Sequence, residues 1–190
     1  MEGEFYKTKE TVDQYITAAK GFDGKLLIEK LKLILPANSR VLEIGSGPGS
    51  DWAILQETYK VIGSDNSQEF LAHLKNNYPL GDFLELDAVG LNTALKFGGI
   101  YANKVLHHLK EDELLHSIQR QNEVLNANGI ICHSFWKGEG SDVFKGLFVK
   151  YHTESSLKEF FGQYFDILTI ETYKEFEADD SMLFIGRKKD

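Results

Sequence analysis

The chain has 190 residues, 42% hydrophobic and 26% charged, with a single cysteine. That is the length of one domain, at about 100–200 residues each, and the composition of an ordinary globular protein, which excludes disorder and collagen-like structure. Lysine plus arginine number 21 against 29 acids, a net charge of −8, and the one dense basic run is Arg187-Lys188-Lys189, so a nucleic-acid backbone is disfavoured as a partner. Cys132 alone cannot form an internal disulfide or a cysteine-based zinc site, and its setting in Ile130-Ile131-Cys132 reads as a buried thiol.

The opening Met1-Glu2-Gly3-Glu4 has neither a basic nor an apolar leader region. No apolar stretch approaches the roughly 18 residues that cross a bilayer. The expectation is a cytoplasmic protein with no membrane partner.

Residues 1–35 are expected to form a helical cap or lid. Tyr6 and Tyr15 precede a stripe of Leu27, Leu31, Ile34 and Leu35, which is one helical face, and Pro36 stops it. Residues 40–44 read as a strand that runs into a glycine-rich turn, and 52–59 as a helix. A second strand, 60–64, is closed by Asp65, and Ser67 caps a helix holding Phe70, Leu71 and Leu74. Residues 83–86 and 99–102 give two more strands. A long helix then carries Leu114, Leu115, Ile118 and Leu125 on one face and ends at Asn128-Gly129, before a fifth strand at 130–135. An insertion with Phe144, Phe148, Tyr151 and His152 offers apolar wall or partner surface. A helical stripe of Leu157, Phe160, Phe161 and Tyr164 follows. The closing strands, 165–170 and 182–185, are joined by a polar loop without a helix and so pair antiparallel. Strands alternating with helices predict an α/β fold, a doubly wound sheet with helices on both faces. Ligands of such sheets bind at the carboxyl ends of the strands, beside the switch point that the first glycine turn marks.

That turn reads Val41-Leu42-Glu43-Ile44-Gly45-Ser46-Gly47-Pro48-Gly49. A dinucleotide fingerprint wants its third glycine where Ser50 stands, and here it comes one residue early. Glu43, two residues before Gly45, suits a ligand with a cationic group better than a pyrophosphate. Asp65 lies twenty residues after Gly45 and can accept from both hydroxyls of a ribose. Asp87, in Glu85-Leu86-Asp87-Ala88, ends the third strand, where it can accept from the exocyclic amine of a base. Together these describe an adenosine with a positive group and no phosphates, which is S-adenosylmethionine.

On these residues the chain resembles the class I S-adenosylmethionine-dependent methyltransferases over residues 36–188, one domain with the N-terminal cap. The resemblance implies a Rossmann-like mixed sheet of seven strands with the last antiparallel, S-adenosylmethionine as cofactor and S-adenosylhomocysteine as product. It implies that Gly45, Ser46, Gly47 and Gly49 line the cofactor loop with Glu43 near the amino-acid end. Asp65 and Asn66 would hold the ribose, Asp87 and Ala88 the adenine, and Asn103 the methionine part. Residues 103–109 look like the segment after strand four of small-molecule methyltransferases. The (Asp/Asn)-Pro-Pro-(Tyr/Phe/Trp) signature of members that methylate DNA bases or protein glutamine is replaced by Ala102-Asn103-Lys104-Val105, which disfavours those acceptors.

Methyl transfer mainly needs nucleophile, methyl and sulfur held in line, and a base only when the acceptor arrives protonated. His107 and His108 are the candidate catalytic bases; His133, on a buried strand, reads as structural, and no metal is expected. Trp136, with Tyr6 and Tyr15 of the lid, is expected on the acceptor side. The expected function is methyl transfer to O or N of a small-molecule acceptor. An inactive S-adenosylmethionine-binding regulatory or interaction protein and an NAD-dependent oxidoreductase stand as alternatives, and nothing in the sequence specifies oligomeric state.

Overall fold

A strand buried on both faces sends alternate apolar side chains to opposite cores. In β1 (Arg40–Ile44), Val41 enters one core while Leu42 and Ile44 enter the other. In β9 (Ser181–Lys188), Met182 and Phe184 go to one side, Leu183 and Ile185 to the other. The computed structural model describes residues 6–144 and 146–190; residues 1–5 of the expected cap lie outside them. The main sheet adds β2 (Lys60–Asp65), β3 (Asp82–Glu85), β4 (Phe97–Asn103), β5 (Leu125–Trp136) and β8 (Phe165–Tyr173). Its seven strands run β3-β2-β1-β4-β5-β9-β8. Pairing is parallel from β3 to β5, and β9 is antiparallel to both β5 and β8. The chain moves outward from β1 to β3 and then returns to β4, so the switch point lies where Glu43 faces Tyr101 in register.

Helices cover both faces. α2 (Lys25–Lys32) and α3 (Ser50–Leu55) seal one core with Leu27, Leu31, Trp52 and Leu55 against Tyr101 and Cys132. α5 (Glu111–Val124) and α6 (Glu154–Phe161) seal the other with Leu114, Ile118, Leu157 and Phe161 against Phe135 and Phe184. Ser67 caps α4 (Gln68–Asn77) as expected, accepting from Phe70 N at 3.3 Å. α1 (Lys9–Ala18) buries only Val12 among its residues and rests on α4 through Tyr15 and Phe70. No helix of the described residues is long and apolar enough to cross a membrane.

The structure departs from the sequence reading in local detail. The helix read at 52–59 ends at Leu55, and Tyr59 is buried beyond it with its hydroxyl 3.4 Å from the Leu35 carbonyl. β3 ends at Glu85, so Asp87 stands two residues past the strand, and Asn103 is the last residue of β4 rather than just beyond it. The inner face of α5 is Leu114, Ser117, Ile118, Gln121 and Val124, while Leu115, one step of about 100° round the helix, is 47% exposed. Leu125 has already left the helix and pairs with Phe97; the register then jumps to Gly99–Ile130 across a bulge in which Asn128 has a φ of 59°. Tyr164 lies past the end of α6. The insertion forms a separate hairpin, β6 (Ser141–Phe144) with β7 (Leu147–Lys150). β7 packs on the 3-10 turn Leu106–His108.

The stripe of α5 is open to a paired test. Ile118→Ala should cost about 2–4 kcal/mol in urea denaturation, and Leu115→Ala about 0.5 kcal/mol or less.

Candidate cofactor and acceptor site

β1 delivers its carbonyl end into the glycine loop, where Gly45, Gly47 and Gly49 have φ of 69°, 48° and 86°. The outer two are small because the core presses on them. A Cβ would lie 2.6 Å from Val105 Cγ2 at Gly45 and 2.7 Å from Leu74 Cδ2 at Gly49. At Gly47 a Cβ would meet nothing within 4 Å, although Gly47 itself is shielded from solvent. The middle glycine therefore borders free space at the carboxyl end of the sheet.

Three buried acids converge there. Asp65 accepts from Gly47 N at 3.0 Å and Ser67 N at 2.9 Å, so it ties the loop to the start of α4. Burial raises its pKa, against the pull of the amides of Ser67, Gly47 and Asn66. Asn66 is exposed beside it. Glu43 takes a 2.5 Å bond from Ser46 Oγ, and Ser46 Oγ in turn accepts from Ser64 N at 3.1 Å. Ser46 thus braces β1 to β2 from inside. Burial, with Asp51 adding to it, pushes Glu43 up to about 8.

Asp51 is the acid that sequence reasoning missed, because at the start of a helix it reads as an ordinary partner for the helix dipole. It is a buried node of the site. Oδ1 accepts from Gly24 N at 2.6 Å, and Oδ2 accepts from Tyr101 OH at 2.7 Å and Asn103 Nδ2 at 2.9 Å. Gly24 is required at this approach: a Cβ would sit 1.9 Å from Tyr101 OH.

Asn103 is fixed from both ends, since Ser134 Oγ donates to its Oδ1 at 2.5 Å. The two histidines after it have assignable tautomers. The Phe148 carbonyl can only accept, so His108 Nδ1, 2.7 Å away, carries the proton. Burial lowers the pKa of His108, and the neutral ring leaves Nε2 as an acceptor for the Nε2–H of His107 at 3.1 Å. His107 Nδ1 then holds a buried lone pair with no partner. Burial, followed by the nearness of His108, Lys104 and His152, keeps His107 neutral. His133 is held elsewhere, bonding Gln121 Oε1 at 2.7 Å, and burial brings it down to about 3.

Beyond β3, Asp87 Oδ1 accepts from Val89 N at 2.6 Å and Gly90 N at 3.3 Å, which shapes the turn. The Ala88 carbonyl accepts from Ser117 Oγ at 2.6 Å, Gln121 Nε2 reaches Ser117 Oγ at 3.2 Å, and Gln121 leads on to His133. A polar chain thus runs from the turn through α5 to β5.

Tyr6 and Tyr15 stand on Phe70, near Asp65, rather than beside Trp136. Their rings pack on each other at 5.3 Å and on Phe70 at 5.7 Å, and Ser67 Oγ donates to the Tyr6 carbonyl at 2.5 Å. Burial raises both hydroxyls, and the charge of Asp65 adds to it. Trp136 is half-buried at the end of β5, stacked on Phe176 at 5.7 Å, 6.3 Å from the His107 ring and under the Lys104 ammonium. Among the described residues no group of His, Cys, Asp or Glu could hold a metal ion.

The acids and the space beside Gly47 fit a compact cationic adenosine: Asp65 retains lone pairs for hydroxyls, and no pyrophosphate would be stabilised by three carboxylates. Glu43 also sets a pH dependence. Its pKa in the folded chain is raised, so its contribution to stability is complete below the ordinary carboxylate range and is lost as pH rises toward about 8. Glu43→Gln should flatten that fall, which is on the order of 1 kcal/mol per pH unit, in urea denaturation of the ligand-free protein across the window.

Residues 41–129 match a family model described as a methyltransferase domain. No curated protein sequence matches the chain. Among solved structures, the chain is similar to 1,6-didemethyltoxoflavin-N1-methyltransferase of Burkholderia thailandensis, bound to 1,6-didemethyltoxoflavin and S-adenosylhomocysteine. That pair shares 20% identity and a TM-score of 0.80 over 94% of this chain and 83% of the other. It is similar to the N-methyltransferase NodS of Bradyrhizobium japonicum with S-adenosylhomocysteine, at 14% identity and a TM-score of 0.74 over 96% and 98%. It is also similar to magnesium protoporphyrin IX methyltransferase of Synechocystis with S-adenosylmethionine, at 18% identity and a TM-score of 0.64 over 95% and 79%. The family match over residues 41–129, the strand order of the sheet and the glycine loop with its acids give the chain a methyltransferase domain with the fold of the class I S-adenosylmethionine-dependent methyltransferases.

Proposed function

We propose that the protein transfers a methyl group from S-adenosylmethionine to an O or N atom of a small molecule held between the 3-10 turn and Trp136. The observation that carries this is the free space beside buried Gly47, whose amide is held by the buried carboxylate of Asp65. The cofactor, when bound, supplies a methyl group on a positively charged sulfur. Asp65, with Asn66, would hold its ribose, Asp87 and Ala88 its adenine, and Glu43 and Asn103 its methionine end. Asp51 fixes the Asn103 amide, so the end of β4 is preorganised. Tyr6 and Tyr15 close over the ribose end and exclude water. An acceptor that arrives protonated passes its proton to His107 Nδ1, whose tautomer His108 and the Phe148 carbonyl set. The solved relative that holds 1,6-didemethyltoxoflavin supports an acceptor of small size.

Methyl transfer is tested by incubating the protein and labelled S-adenosylmethionine with a cell extract. Label should appear in the small-molecule fraction; label confined to protein or RNA would overturn the acceptor class. His107→Gln should slow transfer about 100-fold without changing affinity for S-adenosylhomocysteine. Gly47→Val starts its side chain in that free space, since an added Cβ meets nothing within 4 Å. It should abolish S-adenosylhomocysteine binding in calorimetry while the fold persists, less about 1–2 kcal/mol of left-handed backbone strain.

A further inference from the structure

Lys104 has no part in the chemistry described so far. It follows Asn103 with a φ of 55°, and the two side chains end on different partners. Asn103 reaches Asp51, toward β1 and the glycine loop. The Lys104 ammonium lies toward β5 and β9: it donates to Ser181 Oγ at 2.6 Å and to the Phe135 carbonyl at 3.3 Å, and sits 3.4 Å from the centre of the Trp136 ring and 5.5 Å from that of Tyr173. All of these partners are neutral. Lys104 takes part in none of the ion pairs among the described residues. Asp180 is nearby, but its carboxylate is occupied by the amides of Glu175, Phe176 and Glu177. Burial brings Lys104 down to about 7, against the pull of Glu175 and Asp180. A sequestered ammonium with only neutral partners is a costly arrangement, and an arriving anion would compensate it.

The surroundings describe the rest of that anion. Trp136 presents an aromatic face that Phe176 covers at an interplanar angle of 21°, and Phe176 in turn meets Phe22 of the N-terminal segment at 5.1 Å. Both covering rings are surface groups, 57% and 46% exposed. The buried Tyr173 hydroxyl stands among Ser134, Ser181 and Glu175. His107 Nδ1 is unpartnered.

We propose that Lys104 and Trp136 form the acceptor subsite, and that the acceptor is a planar aromatic molecule methylated at an acidic O or N, bound as its anion with the ring on Trp136 in place of Phe176 and the charge against Lys104 Nζ. This rests on the methyl-transfer reading above and names its substrate class. The anion's lone pair forms the bond to the methyl carbon as the carbon–sulfur bond breaks, and that bond's electron pair stays on sulfur. One negative and one positive charge are consumed, so both products lose them. An acceptor that enters protonated gives its proton to His107 Nδ1, and Lys104 then faces the same anion. The methylated product no longer attracts Lys104, which favours its release. The chain's net charge of −8 repels anions at long range; the attraction is therefore a contact effect, within a screening length of about 10 Å.

The test uses the protein saturated with S-adenosylhomocysteine and calorimetry with matched probes at about pH 6, below the value of about 7 to which burial brings Lys104, so that the ammonium is present and the acids are ionised. The pairs are 2,4-dinitrophenol against 2,4-dinitroanisole and 2,6-dinitrophenol against 2,6-dinitroanisole. The acidic member of each pair should bind about tenfold tighter or more, as a charge-assisted contact predicts. Lys104→Met should erase that preference and leave S-adenosylhomocysteine affinity unchanged, and Trp136→Leu should weaken both members of a pair. Equal binding within the pairs, or no binding of either member, overturns the proposal. So does a preference that survives Lys104→Met, or tighter binding of nitrobenzylamine, a cation that would assign the subsite to Glu175. Loss of S-adenosylhomocysteine affinity in Lys104→Met overturns it in favour of a lysine that serves the cofactor's carboxylate. Should Lys104→Met not fold, discrimination by the wild-type protein decides. Failure of the wild-type protein to bind S-adenosylhomocysteine would instead strike the methyl-transfer reading itself.

Discussion

The buried carboxylate of Asp51 is the constraint on which the site depends. Its three donors come from the N-terminal segment, from the middle of β4 and from the end of β4, and the helix that carries it starts directly after the glycine loop. A buried carboxylate is tolerable only when its lone pairs are satisfied. Each donor is therefore held at a fixed distance from the loop. The same three bonds place Gly24 so tightly against Tyr101 that no side chain fits there. The cap, the loop and the switch point of the sheet are positioned by one group.

The electrostatics follow from that arrangement. Burial raises Glu43, with Asp51 adding to it, and burial raises Asp65, so the low-dielectric interior around these acids disfavours phosphate. A cationic cofactor relieves the repulsion. Beyond β4 the sign reverses, with Lys104 buried over Trp136. Asn103, the last residue of β4, reaches Asp51, and Lys104, directly after it, reaches Ser181 and Trp136, so two neighbouring residues meet a region that favours a cation and a region that favours an anion. That is the polarity required of a transfer from a positively charged donor.

Much of this was legible in the sequence. The glycine spacing, the acid two residues before it and the acids that follow the second and third strands occur in chain order, and β-strands alternating with helices put them at one end of a parallel sheet. Periodicity failed where a helix face mixes polarity. Ser117 and Gln121 of α5 are fully buried, so the stripe read through Leu115 was one position out. Asp51 was missed because its role depends on Gly24 and Tyr101, 27 and 50 residues away, which no local pattern connects. The hairpin beyond β5 escaped notice because its outer strand is exposed throughout and shows no alternation. The N-terminal tyrosines were expected on the acceptor side, and tertiary packing puts them on Phe70, near Asp65, instead of beside Trp136.

The polar chain through α5 has a consequence for how this scaffold can be altered. Ala88, Ser117, Gln121 and His133 connect the turn beyond β3 to the fifth strand through the middle of the apolar core. Recoding the inner face of α5 with leucine and valine would add apolar burial and look like an improvement in a thermostabilisation campaign. It would also cut the tether on the turn and free it to wander. The shape of the turn and the rigidity of the core are coupled here, so a consensus of greasy residues would trade the order of the turn for melting temperature.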